Sequence, residues 1–126
     1  MWLFTQYGFF SVVCARDLTG KTKVIDPNTF MVRARSRQHL ESLQSRCTEL
    51  RGFEIADTKD TDYRYRLVVP KPVWERVAGE LTSEIDYGNF KSRVHALAGD
   101  AEYMHALHDV WAVMEKLQRP ENQNSD

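Results

Sequence analysis

Two short stretches alternate between apolar and basic side chains with a period of two. From Thr29 to Arg35, Phe30, Val32 and Ala34 point one way, while Met31, Arg33 and Arg35 point the other. From Tyr63 to Val69, Tyr63, Tyr65, Leu67 and Val69 alternate with Arg64, Arg66 and Val68 before Pro70 ends the ladder. A strand with one apolar and one charged face is half-buried, so the sheet these strands build carries its helices on one side.

The rest of the chain supplies the partners. Trp2 to Arg16 is aromatic and β-branched and is broken only by Gly8, which suits two strands or one bulged strand, with Phe9 to Ala15 extended. Asp17 to Asn28, with Gly20 and the Asp26-Pro27-Asn28 turn signal, reverses the chain into a long-looped hairpin. Ser36 stands as the N-cap of a helix with Leu40, Leu43, Cys47 and Leu50 at helical spacing and Gly52 as its C-cap. Phe53 to Ala56 reads as a short strand and Asp57 to Asp62 as a charged turn, forming a second hairpin with the Tyr63 strand. Pro72 opens a second helix, which carries Val73, Trp74, Val77, Ala78, Leu81 and Ile85 to about Glu84 or Ile85. Asn89 caps a short helix with Phe90, Val94 and Leu97. A last helix places Tyr103, Met104, Leu107, Val110, Trp111, Met114 and Leu117 on one stripe until Pro120. The expected architecture is an α+β two-layer sandwich. It has an antiparallel sheet of about four strands in the order strand-strand-helix-strand-strand-helix, with two additional C-terminal helices. Residues 1–120 form one domain and 121–126 a polar disordered tail.

With 126 residues, 42% hydrophobic and 28% charged, the chain has the makings of a core that folds alone. A net charge of -1 excludes a strongly basic nucleic-acid binder, so any such site is a local patch. Two cysteines make no disulfide framework, and Met1 to Phe10 lacks the basic start and small-residue cleavage site of a secretory signal, which points to the cytoplasm. No apolar run approaches the roughly 18–20 residues of a membrane helix, so no membrane partner is expected.

Several segments carry a resemblance: Met1-Trp2-Leu3-Phe4-Thr5 with Gly8-Phe9-Phe10-Ser11-Val12-Val13, Met31-Val32-Arg33-Ala34-Arg35, Asp62-Tyr63-Arg64-Tyr65-Arg66, and Glu84-Ile85-Asp86-Tyr87 with Asn89-Phe90-Lys91. Together they resemble a family of small, stand-alone bacterial proteins of unknown function, as does the later Val110-Trp111-Ala112-Val113-Met114 stretch. The resemblance implies a bacterial cytoplasmic domain and no particular mechanism.

The candidate binding residues are Arg33, Arg35, Arg64 and Arg66, whose guanidinium groups point outward together if the apolar strand faces share the core. Arginine outnumbers lysine 11 to 6, and its planar fork suits phosphate or carboxylate better than an ammonium does. Residues 1–53 hold eight Lys or Arg against four Asp or Glu, whereas residues 54–126 hold nine against fourteen. Against a binding role stands ordinary pairing of these arginines with acids on adjacent elements. Tyr87 and Lys91 add a second candidate, a recognition corner in the bend between helices; capping by Asn89 and insertion of Phe90 would explain the same residues.

Other constellations are weaker. His105, His108 and Asp109 on the last helix, with Glu102 a turn earlier, have spacings that can bind zinc, but they lack a complete shell and the paired-histidine motif with an internal glutamate. His39 and His95 join them only through tertiary contacts. Cys14 and Cys47 read as core thiols with raised pKa, Ser11 has no nucleophile-elbow setting, and the glycines never cluster into a phosphate loop. No cofactor is implied.

The expectation is a non-enzymatic small binding protein that engages a macromolecule, protein or nucleic acid, through the arginine-bearing sheet face. One alternative is a phage- or plasmid-encoded inhibitor of a host nucleoprotein complex; another is a small metal-dependent enzyme using His105, His108 and Asp109. The aromatic and methionine excess of the last helix suits either a seal over the N-terminal strands or a symmetric homodimer.

Overall fold

A computed structural model describes residues 1–16, 24–97 and 99–118. The reversal expected around Gly20, the Pro120 helix stop and the polar tail 121–126 lie outside the described residues. The fold is α+β, and the chain divides into two compact units, Met1–Asp86 and Tyr87–Asp126.

The first unit holds an antiparallel five-stranded sheet, one strand more than expected, in the order β1-β2-β3-β5-β4. Its strands are β1 (Trp2–Thr5), β2 (Gly8–Arg16), β3 (Ile25–Ala34), β4 (Ala56–Asp57) and β5 (Tyr65–Pro70). The extra strand arises because the aromatic N-terminus folds back at Gln6-Tyr7, pairing Thr5 with Gly8. The Thr5 hydroxyl fixes this turn by accepting from the Tyr7 and Gly8 N–H groups at 3.1 and 3.2 Å and donating to the Gly8 carbonyl at 2.9 Å. Gly8 adopts φ +148°, and a Cβ there would fall inside the His39 imidazole, whose Nδ1 accepts from the Phe9 N–H at 3.3 Å.

The Asp26-Pro27-Asn28 signal does not reverse the chain. It lies inside β3, where pairing jumps from Ala15↔Asp26 to Cys14↔Phe30 and leaves residues 27–29 as a bulge. The Asp26 carboxylate accepts from the Asn28 N–H and the Thr29 hydroxyl at 2.9 and 2.8 Å. The Asn28 backbone bond, then the Thr29 hydroxyl, hold its pKa below the usual carboxylate range. Turn chemistry is satisfied locally while the strand continues.

The helices α1 (Arg37–Arg46) and α2 (Lys71–Ser83) supply the second layer. Ser36 occupies the N-cap of α1 without a side-chain cap bond, and the helix stops at Arg46 instead of reaching Leu50. Arg51 explains the early stop: its guanidinium donates to the Gln44 and Ser45 carbonyls at 3.1 and 2.7 Å, capping the helix from outside, while Thr48–Leu50 tighten into a 3₁₀ turn. Gln44 Nε2 in turn donates to the Leu50 and Phe53 carbonyls. With the Phe53 carbonyl engaged this way, strand β4 begins only at Ala56 and is shorter than the expected Phe53 to Ala56 segment. Pro70 passes directly into α2, with Pro72 in the first turn as its missing N–H allows.

Phe10, Val12, Val32, Ala34, Leu67 and Val69 from the sheet meet Leu40, Leu43, Cys47, Leu50, Trp74 and Val77 in one core. Each large apolar side chain buried there contributes roughly 1.5–3 kcal/mol. This core occupies one side of the sheet, leaving the other without α1 or α2.

The second unit contains α3 (Phe90–Ala96) and α4 (Ala101–Glu115). As the sequence suggests, Asn89 caps α3 by accepting from the Ser92 N–H at 2.9 Å. Asp100, which the sequence reading does not single out, caps α4 by accepting from the Tyr103 N–H at 2.9 Å. Val94, Tyr103 and Leu107 are buried, but Trp111, Val113, Met114 and Leu117 are exposed.

Candidate functional site

Because side chains alternate along a strand, residues between the core positions project onto the opposite face. There β1 places Trp2 and Phe4, β2 places Phe9, Ser11 and Val13, β3 places Met31 and Arg33, and β5 places Arg66 and Val68. Phe4 stacks on Phe9 with centroids 4.6 Å apart, and Trp2 meets Phe9 edge-on at 6.1 Å. Trp2 is 71% exposed and Phe4 36%.

Three of the predicted arginines gather around one residue, Tyr63, two at its ring and one at its carbonyl. The guanidinium carbons of Arg33 and Arg35 lie 4.5 and 4.2 Å from the Tyr63 ring centroid. Arg66 donates from Nε to the Tyr63 carbonyl at 3.0 Å, and Arg35 donates from Nε to the Asp62 carbonyl at 3.2 Å. Arg33 Nη2 donates to Ser11 Oγ at 2.7 Å, whereas its buried Nε has no partner among the described residues. Arg33 sits directly opposite Arg66 in the β3–β5 register. Among the described residues no carboxylate lies within 4 Å of Arg33 or Arg35, and Arg66 reaches only the exposed Asp62, at 4.0 Å.

Arg64 is turned elsewhere. It grips Asp57 through two bonds, of 2.7 and 3.1 Å, at the β4 edge, and those bonds lower the Asp57 pKa. Tyr87 and Lys91 belong to the second unit: Tyr87 packs against Phe90 with Arg93 over its ring, and Lys91 Nζ lies 4.6 Å from the Trp111 ring centroid. His105, His108 and Asp109 are exposed on α4, and no group of three metal-ligating side chains forms among the described residues. Burial, then Glu80, pushes the Cys47 thiol up to about 12, which suits a core thiol. No helix among the described residues is long and apolar enough to cross a membrane.

Tyr63 is the participant that period-two reading misplaces, and Ser11 is one it does not single out. Alternation puts Tyr63 on the core side, but the residue precedes β5 and its ring lies among Phe9, Arg33 and Arg35, only 4% exposed. The Thr58 and Thr61 hydroxyls and Arg66 Nε all donate to the Tyr63 carbonyl, and Asp60 adopts φ 66°. This knot interrupts the ladder and resets the parity. Ser11 becomes legible only once it is paired opposite Arg33.

A second polar cluster joins the β1–β2 turn to both helices. Glu84, just past α2, accepts from the Tyr7 hydroxyl at 2.7 Å and Gln6 Nε2 at 3.2 Å and pairs with Arg46 at the end of α1. Burial, then Glu84, raises the Tyr7 phenol to about 12. Compared with protein-family models, curated proteins and solved structures, the chain matches none.

Proposed function

We propose that this chain is a non-enzymatic binding protein that holds single-stranded nucleic acid on the open sheet face, in a bacterial cytoplasm. The Arg33–Arg66 pair supports this most directly. Like charges placed directly opposite on neighbouring strands destabilise a sheet, and among the described residues no carboxylate sits beside Arg33, while Arg66 has only the exposed Asp62 at 4.0 Å. The buried Arg33 Nε, without a partner among the described residues, adds a further cost to this arrangement. Exposed aromatics beside cationic groups are the combination that holds single strands by stacking and phosphate contact. Fluorescence anisotropy with labelled single-stranded RNA and DNA across a salt series tests this. Affinity should fall as salt rises, and Arg33→Gln with Arg66→Gln should flatten the slope by about 0.7 for each phosphate no longer neutralised. Salt-insensitive binding, or none at low salt, would rule it out.

A second reading concerns assembly. Trp111, Val113 and Met114 on α4, with Leu117 just past its end, expose apolar surface, which favours a homodimer through α4.

A further inference from the structure

We infer that the open face sorts a single-stranded ligand chemically across its strands, bases on the β1–β2 half and phosphate on the β3–β5 half; this rests on the nucleic-acid reading above. The pairing registers set the arrangement. Trp2 is opposite Ser11, Ser11 opposite Arg33, and Arg33 opposite Arg66, so one row perpendicular to the strands runs from an exposed indole to two guanidinium groups. At about 4.8 Å between strands, Trp2 and Arg66 are about 14 Å apart along that row.

The two ends differ in what they leave open. At the aromatic end Phe9 is the floor, stacked under Phe4 and edged by Trp2, while Trp2 and Phe4 keep ring surface in solvent. At the cationic end Ser11 pins one Arg33 nitrogen, and the aligned Arg66 has its Nε tied to the Tyr63 carbonyl. A phosphodiester offers one charge and two non-bridging oxygens to such a neighbouring pair, which suits forked guanidinium groups better than point charges. Between the ends the row holds only the small Ser11, buried beneath its neighbours, so a sugar bridging the two ends passes above it rather than into a recess. Duplex bases are hidden in their own stack, so only an unpaired strand can use the Trp2 and Phe4 surfaces. The row has room for about two bases, as on other aromatic sheet platforms, and stacking of this kind tolerates any sequence.

The test compares two ligands on the full chain by anisotropy: a short fluorescein-labelled oligothymidylate, and a phosphodiester of equal length built from abasic residues. Trp2→Ala should weaken oligothymidylate binding about tenfold, the order expected when one base loses its stacking partner, and leave abasic binding and both salt slopes unchanged. Trp2→Leu, which keeps apolar bulk on the exposed edge, should behave the same way and guards against a folding defect, checked by circular dichroism. Arg33→Gln should weaken both ligands equally. If Trp2→Ala weakens both ligands alike or neither, or if wild type binds the abasic chain as tightly as the oligothymidylate, the division of labour is wrong while salt-dependent binding survives. If neither ligand binds wild type at low salt, the nucleic-acid reading fails with it.

Discussion

Gly8 shows how a single residue sets the position of a whole edge. Its φ of +148° and the imidazole packed where a Cβ would stand are two separate demands, one on the backbone and one on space. Gly8→Ala should therefore cost about 2–5 kcal/mol, read by urea denaturation. Pairing it with His39→Gly, which removes the clashing Cβ as well as the ring, should recover the steric part and leave the backbone part, so the double mutant should be more stable than the two single effects added together predict. Strict additivity would mean that His39 does not press on this site. The same scale explains what the sequence conceals. Arg33, Arg35 and Arg66 are visible as one-sided residues from alternation alone. Tyr63 is not, because its place depends on where the ladder starts, and the Thr58, Thr61 and Arg66 bonds to its carbonyl decide that.

At the level of elements, the hydrophobic spacing of α1, α2, α3 and α4 and the alternation of β3 and β5 are local signals, and they survive folding. The differences arise where a nearby side chain takes over a backbone group: Arg51 ends α1 early, Gln44 occupies the Phe53 carbonyl ahead of β4, and the Asp26 carboxylate holds the Asp26-Pro27-Asn28 turn signal as a bulge inside β3. The Tyr7–Glu84–Arg46 cluster is another such junction, since it joins a hairpin and two helix ends. The Tyr7 phenol has its pKa raised from 10.0 to about 12, so the folded state favours the protonated form. That contribution is complete below the unfolded value near 10 and is lost as pH rises through about 12. Between these limits wild type should lose about 1 kcal/mol more stability than Tyr7→Phe, the shift being discounted for solvent screening. Parallel unfolding curves for the two proteins over that range would show that the phenol is not coupled to folding.

For the molecule as a whole, a net charge of -1 means that the proposed anion binding depends on local placement of charge, as in the Arg33, Arg35 and Arg66 cluster. Assembly is the other whole-molecule property open to measurement. Light scattering should show a dimer at micromolar concentration, and Met114→Glu with Leu117→Glu should shift it to monomer with unchanged helix content by circular dichroism. A monomeric wild type would remove α4 as a self-association surface. The five-stranded sheet also bears on aggregation. A sheet that exposes aromatic groups such as Trp2 and Phe4 usually invites chains to add onto its borders and grow into fibres. Here the outer strands are β1, with four residues, and β4, with only two, so each border offers a template too short to seed a growing ladder. The protein can therefore keep exposed aromatic side chains in water while its margins refuse to polymerise.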